Sequence, residues 1–194
     1  MNQRGQTLGE VTCVVAIVGI CAAVSLPAFL SMTRRNAVRM VSDQLRGIFR
    51  GVRARAIARG RNVGVKFTRD GADWQYATYE DGDGDGIRSD DIKKNVDRLV
   101  AGPLRLAQQQ QLAAIALPPV TIVDPDGDKL QPTAEPVQFN NSMICSFSPL
   151  GAGTPGSIYL TDGAGGVWCL RVYGPTGRVR LLRYEAQRRK WVGQ

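Results

Sequence analysis

Five aspartates crowd the stretch Asp81-Gly82-Asp83-Gly84-Asp85-Gly86-Ile87-Arg88-Ser89-Asp90-Asp91. Carboxylates at the first, third and fifth positions of a short turn, with glycine at the sixth, converge hard oxygens on a calcium ion, and the seventh residue contributes its carbonyl. Asp81, Asp83, Asp85, Ile87 and Asp91 are therefore candidate ligands for calcium or another hard cation. The twelfth position, where such a loop closes on a bidentate acid, is Ile92, and Asp91 stands one place early. The same residues equally suit a flexible acidic hairpin tip whose charges repel one another. Asp124-Pro125-Asp126-Gly127-Asp128 is a weaker echo that a turn accounts for.

A second chemically distinct residue is Glu10. It precedes twenty uncharged, mostly apolar residues, Val11 to Leu30. Twenty such residues in a helix rise ~30 Å, enough to cross the hydrocarbon core of a bilayer. A carboxylate at the mouth of that run is costly in lipid and calls for a partner.

The third group is basic. Arg178 and Arg180 follow the turn Tyr173-Gly174-Pro175-Thr176-Gly177, with Arg171, Arg183, Arg188, Arg189 and Lys190 around them and Tyr184 and Trp191 interleaved. Strand alternation puts Arg178 and Arg180 on one face. The pattern fits a plain turn with a solvated strand face, or a phosphate-binding patch with stacking aromatics for nucleic acid. Cys145 and Cys169 lie in short apolar runs. An oxidising compartment would permit a disulfide between them, worth ~3 kcal/mol, and two buried thiols are the alternative.

Enzyme chemistry has little to work with. The chain has no histidine, which removes the commonest general base and metal ligand. No serine, cysteine or lysine pairs with an evident base, and there is no P-loop or Cys-x-x-Cys. A non-enzymatic role is expected. Net charge is +8 over 194 residues, which permits contact with lipid phosphate, nucleic acid or acidic protein without choosing among them.

These residues need elements to hold them. Val38, Val41, Leu45, Ile48, Val52 and Ala56 recur at spacings of three and four, one apolar stripe of an amphipathic helix. With the apolar run, a continuous helix is expected from about Thr7 to about Ala58, ~75 Å long and bent near Pro27. Its outer half carries eight arginines between Arg34 and Arg59 against one acid, Asp43. From Asn62 the pattern becomes strands. Asn62–Thr68 and Asp73–Tyr79 read as a hairpin, with Val63, Val65 and Phe67 on one side. Further strands are expected at 120–123, 137–139, 143–147, 157–160, 167–173 and 178–184, the last two joined by the Gly-Pro turn. Residues 106–117 read as a short helix or loop. A long helix followed by many short antiparallel strands gives an α+β fold with the helix on a sheet. The boundaries drawn are a leader at 1–5, a membrane helix at 6–30, its amphipathic continuation at 31–61 and a β-rich domain at 62–194.

The N-terminus resembles the leader of type IV prepilins and type II secretion pseudopilins. Arg4 and Gly5 form a short basic leader, Thr7 and Leu8 follow, and Glu10 is the fifth residue after Gly5. Pro27 sits where that family kinks its helix. Ser146-Phe147-Ser148-Pro149-Leu150-Gly151, Ser157-Ile158-Tyr159-Leu160 and Gly177-Arg178-Val179-Arg180 resemble the soluble domain of the GspH/FimT branch. The resemblance implies a pilin-like fold and cleavage by a prepilin peptidase between Gly5 and Gln6, with methylation of the new amine. It also implies pairing of Glu10 with the amine of a neighbouring pseudopilin in a filament. The bacterial inner membrane would be crossed once, leader in the cytoplasm and domain outside. Arg34 and Arg35, just after the span, argue for the opposite orientation by the positive-inside rule; the leader resemblance is given priority. Two functions follow: a minor pseudopilin of type II secretion, or a FimT-like minor pilin binding DNA through Gly177, Arg178 and Arg180.

Overall fold

A computed structural model describes residues 8–71, 73–106, 113–140 and 142–194. The expected cleavage residues, Gly5 and Gln6, lie outside them. One helix, α1, runs from Leu8 to Arg59, unbroken across position 27 and close to the span expected from the sequence. Its halves have opposite surroundings. Through Met32, every residue whose exposure is described is exposed. From Ala37 onward, Ala37, Val38, Val41, Leu45, Phe49, Val52 and Ala56 are buried, with Ile48 packed at their margin. The helical stripe thus becomes the spine of the core.

The strands follow: β1 (Val63–Asp70), β2 (Asp73–Glu80), a short helix α2 (Ser89–Lys93), β3 (Arg98–Arg105), β4 (Ala114–Ile115), β5 (Ile122–Val123), β6 (Lys129–Leu130), β7 (Val137–Phe139), β8 (Ile144–Phe147), β9 (Gly156–Thr161), β10 (Val167–Tyr173), β11 (Arg178–Glu185) and β12 (Lys190–Gly193). They form a four-stranded sheet, β3-β2-β1-β8, and a second sheet, β12-β11-β10-β9-β4, with β7 also on β9. β5 and β6 pair separately. Every named strand pair is antiparallel. The α+β architecture with a long helix on antiparallel sheets is the one expected from the sequence.

Phe49 is the hub of the core. Its ring meets those of Phe67 at 6.1 Å, Phe139 at 6.0 Å and Phe147 at 6.2 Å, so one helical side chain joins β1, β7 and β8. A second, smaller apolar cluster lies on the other face of the second sheet: Ile122, Leu130, Tyr159, Val167, Cys169 and Leu182. The alternation of β10 separates the two cores. Trp168, Leu170 and Val172 face α1, while Val167 and Cys169 face away.

That separation corrects one expectation. Cys145 is in the core beneath α1 and Cys169 is in the outer cluster, and both are free thiols. Cys145 is on β8 of the first sheet and faces the α1 core, while Cys169 is on β10 of the second sheet and faces away from that core, so the second sheet lies between them and no disulfide joins them here. Burial pushes the Cys169 thiol up to about 12 and raises Cys145 well above its ordinary value, leaving two unreactive core residues.

β3, β6, β12 and α2 were not expected from the sequence. Gly102-Pro103 in the middle of β3 reads as a turn, and an edge strand tolerates what a central one would not. Of the stretch read as helix or loop, residues 107–112 lie outside those described, and Ala114–Ile115 pairs with β9.

Candidate functional site

The chain places its chemistry at two ends of α1. Glu10 is exposed in the first turn of the helix. Arg53 lies 43 residues further on, ~65 Å away at the rise of an α-helix. At that far end sit both the acidic loop and the basic turn.

The acidic loop hangs from Asp81, which follows β2 and is buried. Its Oδ1 accepts the backbone N–H groups of Gly84 at 2.7 Å and Asp83 at 3.2 Å. Its Oδ2 accepts Gly86 N–H at 2.9 Å and the Asn62 side-chain amide at 2.7 Å. Burial alone would raise this carboxyl. The Asn62 amide and the three backbone donors outweigh that and hold it below its ordinary value. Asp81 is thus the anchor around which the glycines fold the loop. Gly82 permits a close approach: a Cβ there would lie 2.0 Å from the Val96 carbonyl.

Carboxylate oxygens of Asp81, Asp83 and Asp85 come within 4.8 Å of one another. Sequence spacing therefore identified three oxygens that do converge. Asp85 also pairs with Arg88. Asp91 stands outside the trio, though its charge raises the proton affinity of both Asp85 and Asp97. Ile87 is buried against Gly64, whose Cβ would meet Ile87 Cγ1 at 3.0 Å. The loop offers half of a hard-cation shell, with Asp81 already saturated by N–H donors.

Sequence reasoning missed Asp97. It is 2% exposed, and its Oδ2 accepts Arg88 N–H at 3.0 Å. Burial pushes its carboxyl up; Arg88 and Gly82 N–H groups oppose this, and the charges of Asp81 and Asp91 add to it. A lone aspartate between Val96 and Arg98 carries no spacing signal, so only the fold reveals that it underlies the loop.

The echo at Asp124 is a turn, as expected. Asp124 Oδ1 accepts the N–H groups of Asp126 and Asp128 at 2.9 and 2.8 Å, joining β5 to β6. Asp126 then pairs with Arg171 at 2.6 Å.

The basic turn packs onto α1. Arg178 and Arg180 are exposed, and Val179 between them packs toward the core, so the two arginines share the outer face. A shallow depression is lined by Arg46, Arg50 and Arg53 of α1 together with Gly177 and Arg178. Four arginines from segments far apart in sequence thus line one depression. The aromatics read as a stacking platform have other duties. Trp191 packs at a tilt against Tyr184 at 5.0 Å and Tyr159 at 6.0 Å, and its Nε1–H donates to the Val123 carbonyl at 2.7 Å. Both rings close the outer core, because β12 lays Trp191 over Tyr184 in register. Tyr173, beside the turn, stays exposed, with the Arg180 guanidinium 5.9 Å from its ring centre.

The first half of α1 is long and apolar enough to cross a membrane, and none of that window is buried within the protein. No curated protein and no solved structure matches the chain. One family model does match, that of the type II transport protein GspH, over residues 42–177. The match takes in most of the buried half of α1, the acidic loop and strands β1 to β10, and ends at Gly177, before β11 and β12. With well over half its length accounted for in this way, the chain belongs to the GspH family of type II transport proteins.

Proposed function

We propose that this chain is a minor pseudopilin, a structural subunit of the filament of a type II secretion system. It is anchored in the bacterial inner membrane by the first half of α1, with its β-rich domain outside. A prepilin peptidase cuts between Gly5 and Gln6 and methylates the new amine. Glu10 then pairs with the amine of a neighbouring subunit as the apolar halves of the helices bundle. In that low-dielectric setting an ion pair is strong and an unpaired carboxylate unfavourable.

One observation carries the reading. A single helix carries an exposed, mostly apolar membrane-length run in its first half and is the spine of a folded domain in its second. Such a helix transmits position from membrane or filament to the domain without a hinge of loop residues. Family membership supports it independently. Amino-terminal sequencing of the protein purified from membranes tests it: a mature chain starting at a modified Gln6 is expected, and an uncut Met1 start refutes processing.

A second reading is favoured by the meeting of Arg46, Arg50, Arg53 and Arg178: a FimT-like pilin that holds DNA at its outer end. Phosphate neutralisation by several arginines predicts binding that weakens steeply with salt. Duplex DNA binding lost in an Arg178→Gln, Arg180→Gln double variant would favour it, and no binding at low salt removes it.

A further inference from the structure

Beside the end of the apolar run of α1, at Leu30, lies a groove of about 800 Å³. Its walls are α1, at Leu30, Arg34 and Arg35, and two hairpin tips: β9–β10 through Asp162 and β11–β12 through Arg183 and Arg188. The geometry is fixed by β11, which runs antiparallel to α1. Gly177 beside Arg53 marks one end of the contact and Glu185 near Arg34 the other. Nineteen helical residues cover ~28 Å and eight strand residues ~27 Å, so the hairpin tips end level with the last apolar turn of the helix.

The charge there is unbalanced. Four arginines (Arg34, Arg35, Arg183, Arg188) and two acidic residues (Asp162, Glu185) line the groove. Asp162 is committed to its own turn, accepting Ala164 and Gly166 N–H groups at 2.9 and 2.8 Å. Glu185 is paired with Arg188 at 3.5 Å. Arg183 lies over the Trp168 ring at 5.8 Å, and both residues line the groove. The Arg34 Nε is buried and has no hydrogen-bond partner, a costly state for a charged donor. Arg34 also stands four residues beyond Leu30, ~6 Å along the axis. The headgroup layer of a bilayer is ~5–8 Å thick on each side of the hydrocarbon core. The groove therefore sits at the height of lipid phosphates.

We propose that this groove binds the phosphate of an anionic phospholipid, clamped by Arg34, Arg35 and Arg183, while the acyl chains lie along Leu30 and the exposed apolar helix below it. The proposal rests on the membrane-spanning reading of α1. Its consequence is a domain held against the membrane before the subunit enters a filament.

The test uses the full chain in nanodiscs of phosphatidylcholine alone or with added phosphatidylglycerol, with an Arg34→Gln, Arg183→Gln variant beside the wild type. Native mass spectrometry counts retained lipid, and hydrogen exchange reads protection of residues 162–166 and 186–188. Retention of phosphatidylglycerol over phosphatidylcholine is expected, falling on the order of tenfold in the variant, with protection at both tips only in the anionic discs. Equal retention of both lipids by a protein that is inserted and folded overturns the proposal and leaves the anchor standing. Protection by millimolar inorganic phosphate without lipid, or only by a second protein, also overturns it. A chain stripped from membranes by carbonate refutes the anchor itself and this inference with it.

Discussion

Arg53 on the helix donates its Nε–H to the carbonyl of Gly151, 98 residues away, at 2.9 Å. The same carbonyl closes over Gly177, where a Cβ would come within 2.2 Å of it. One hydrogen bond and one missing side chain thus fix the basic turn to α1.

Gly177 has φ +57°, so Gly177→Ala brings both a left-handed penalty of ~1–2 kcal/mol and a clash with Gly151. A fall in melting temperature of about 5 °C or more is expected, with Arg178 displaced from the α1 arginines. Thermal unfolding of the detergent-solubilised chain measures it, and an unchanged melting point would show that the turn is not held this way.

Asp81 and Asp97 pull stability in opposite directions with pH. The folded-state pKa of Asp81 is depressed, so its contribution is present above the unfolded carboxylate value near 4 and is lost as pH falls through the folded value. The folded-state pKa of Asp97 is raised, so its ionisation costs stability as pH rises from near 4 through that raised value. Asp97→Asn is therefore expected to stabilise at pH 7 relative to pH 4, and Asp81→Asn to destabilise at pH 7 by ~1–3 kcal/mol. Melting curves between pH 3 and 7 decide; parallel shifts at every pH would contradict both assignments.

With three carboxylates inside 4.8 Å, Asp83→Asn relieves repulsion. In chelator at low salt, a gain of about 0.5 kcal/mol is expected, shrinking as salt is added. The hard-cation reading adds that millimolar calcium raises the melting temperature of the wild type and not of the variant. Identical responses of the two proteins to calcium would leave the loop as an Asp81-anchored turn.

Glu10→Ala is expected to leave the domain folded, because the helix around Glu10 touches none of the buried core, and to abolish incorporation into filaments. Cross-linking of the variant with other pseudopilins in membranes reads this; wild-type levels of incorporation would remove the Glu10–amine pairing.

The long helix was legible because its signals are local. An apolar run and a stripe at spacings of three and four follow from helical geometry alone, and Val38, Val41, Leu45, Val52 and Ala56 are buried as that stripe required. The convergence of Asp81, Asp83 and Asp85 was legible for the same reason, being set within one turn of chain. Phe49 was missed although it is the hub, since its importance comes from three rings on three strands. The sequence by itself determined elements whose hydrogen bonds and periodicity close within a few residues: the helix, the β1–β2 and β10–β11 hairpins and the acidic turn. Only the tertiary structure decided which faces meet. It sent Cys145 and Cys169 to opposite sides of a sheet, spent Tyr184 and Trp191 on a second core, gathered arginines from α1 and β11, and set the hairpin tips level with Leu30. Those outcomes depend on the register of strands distant in sequence, where shifting one residue exchanges the two faces.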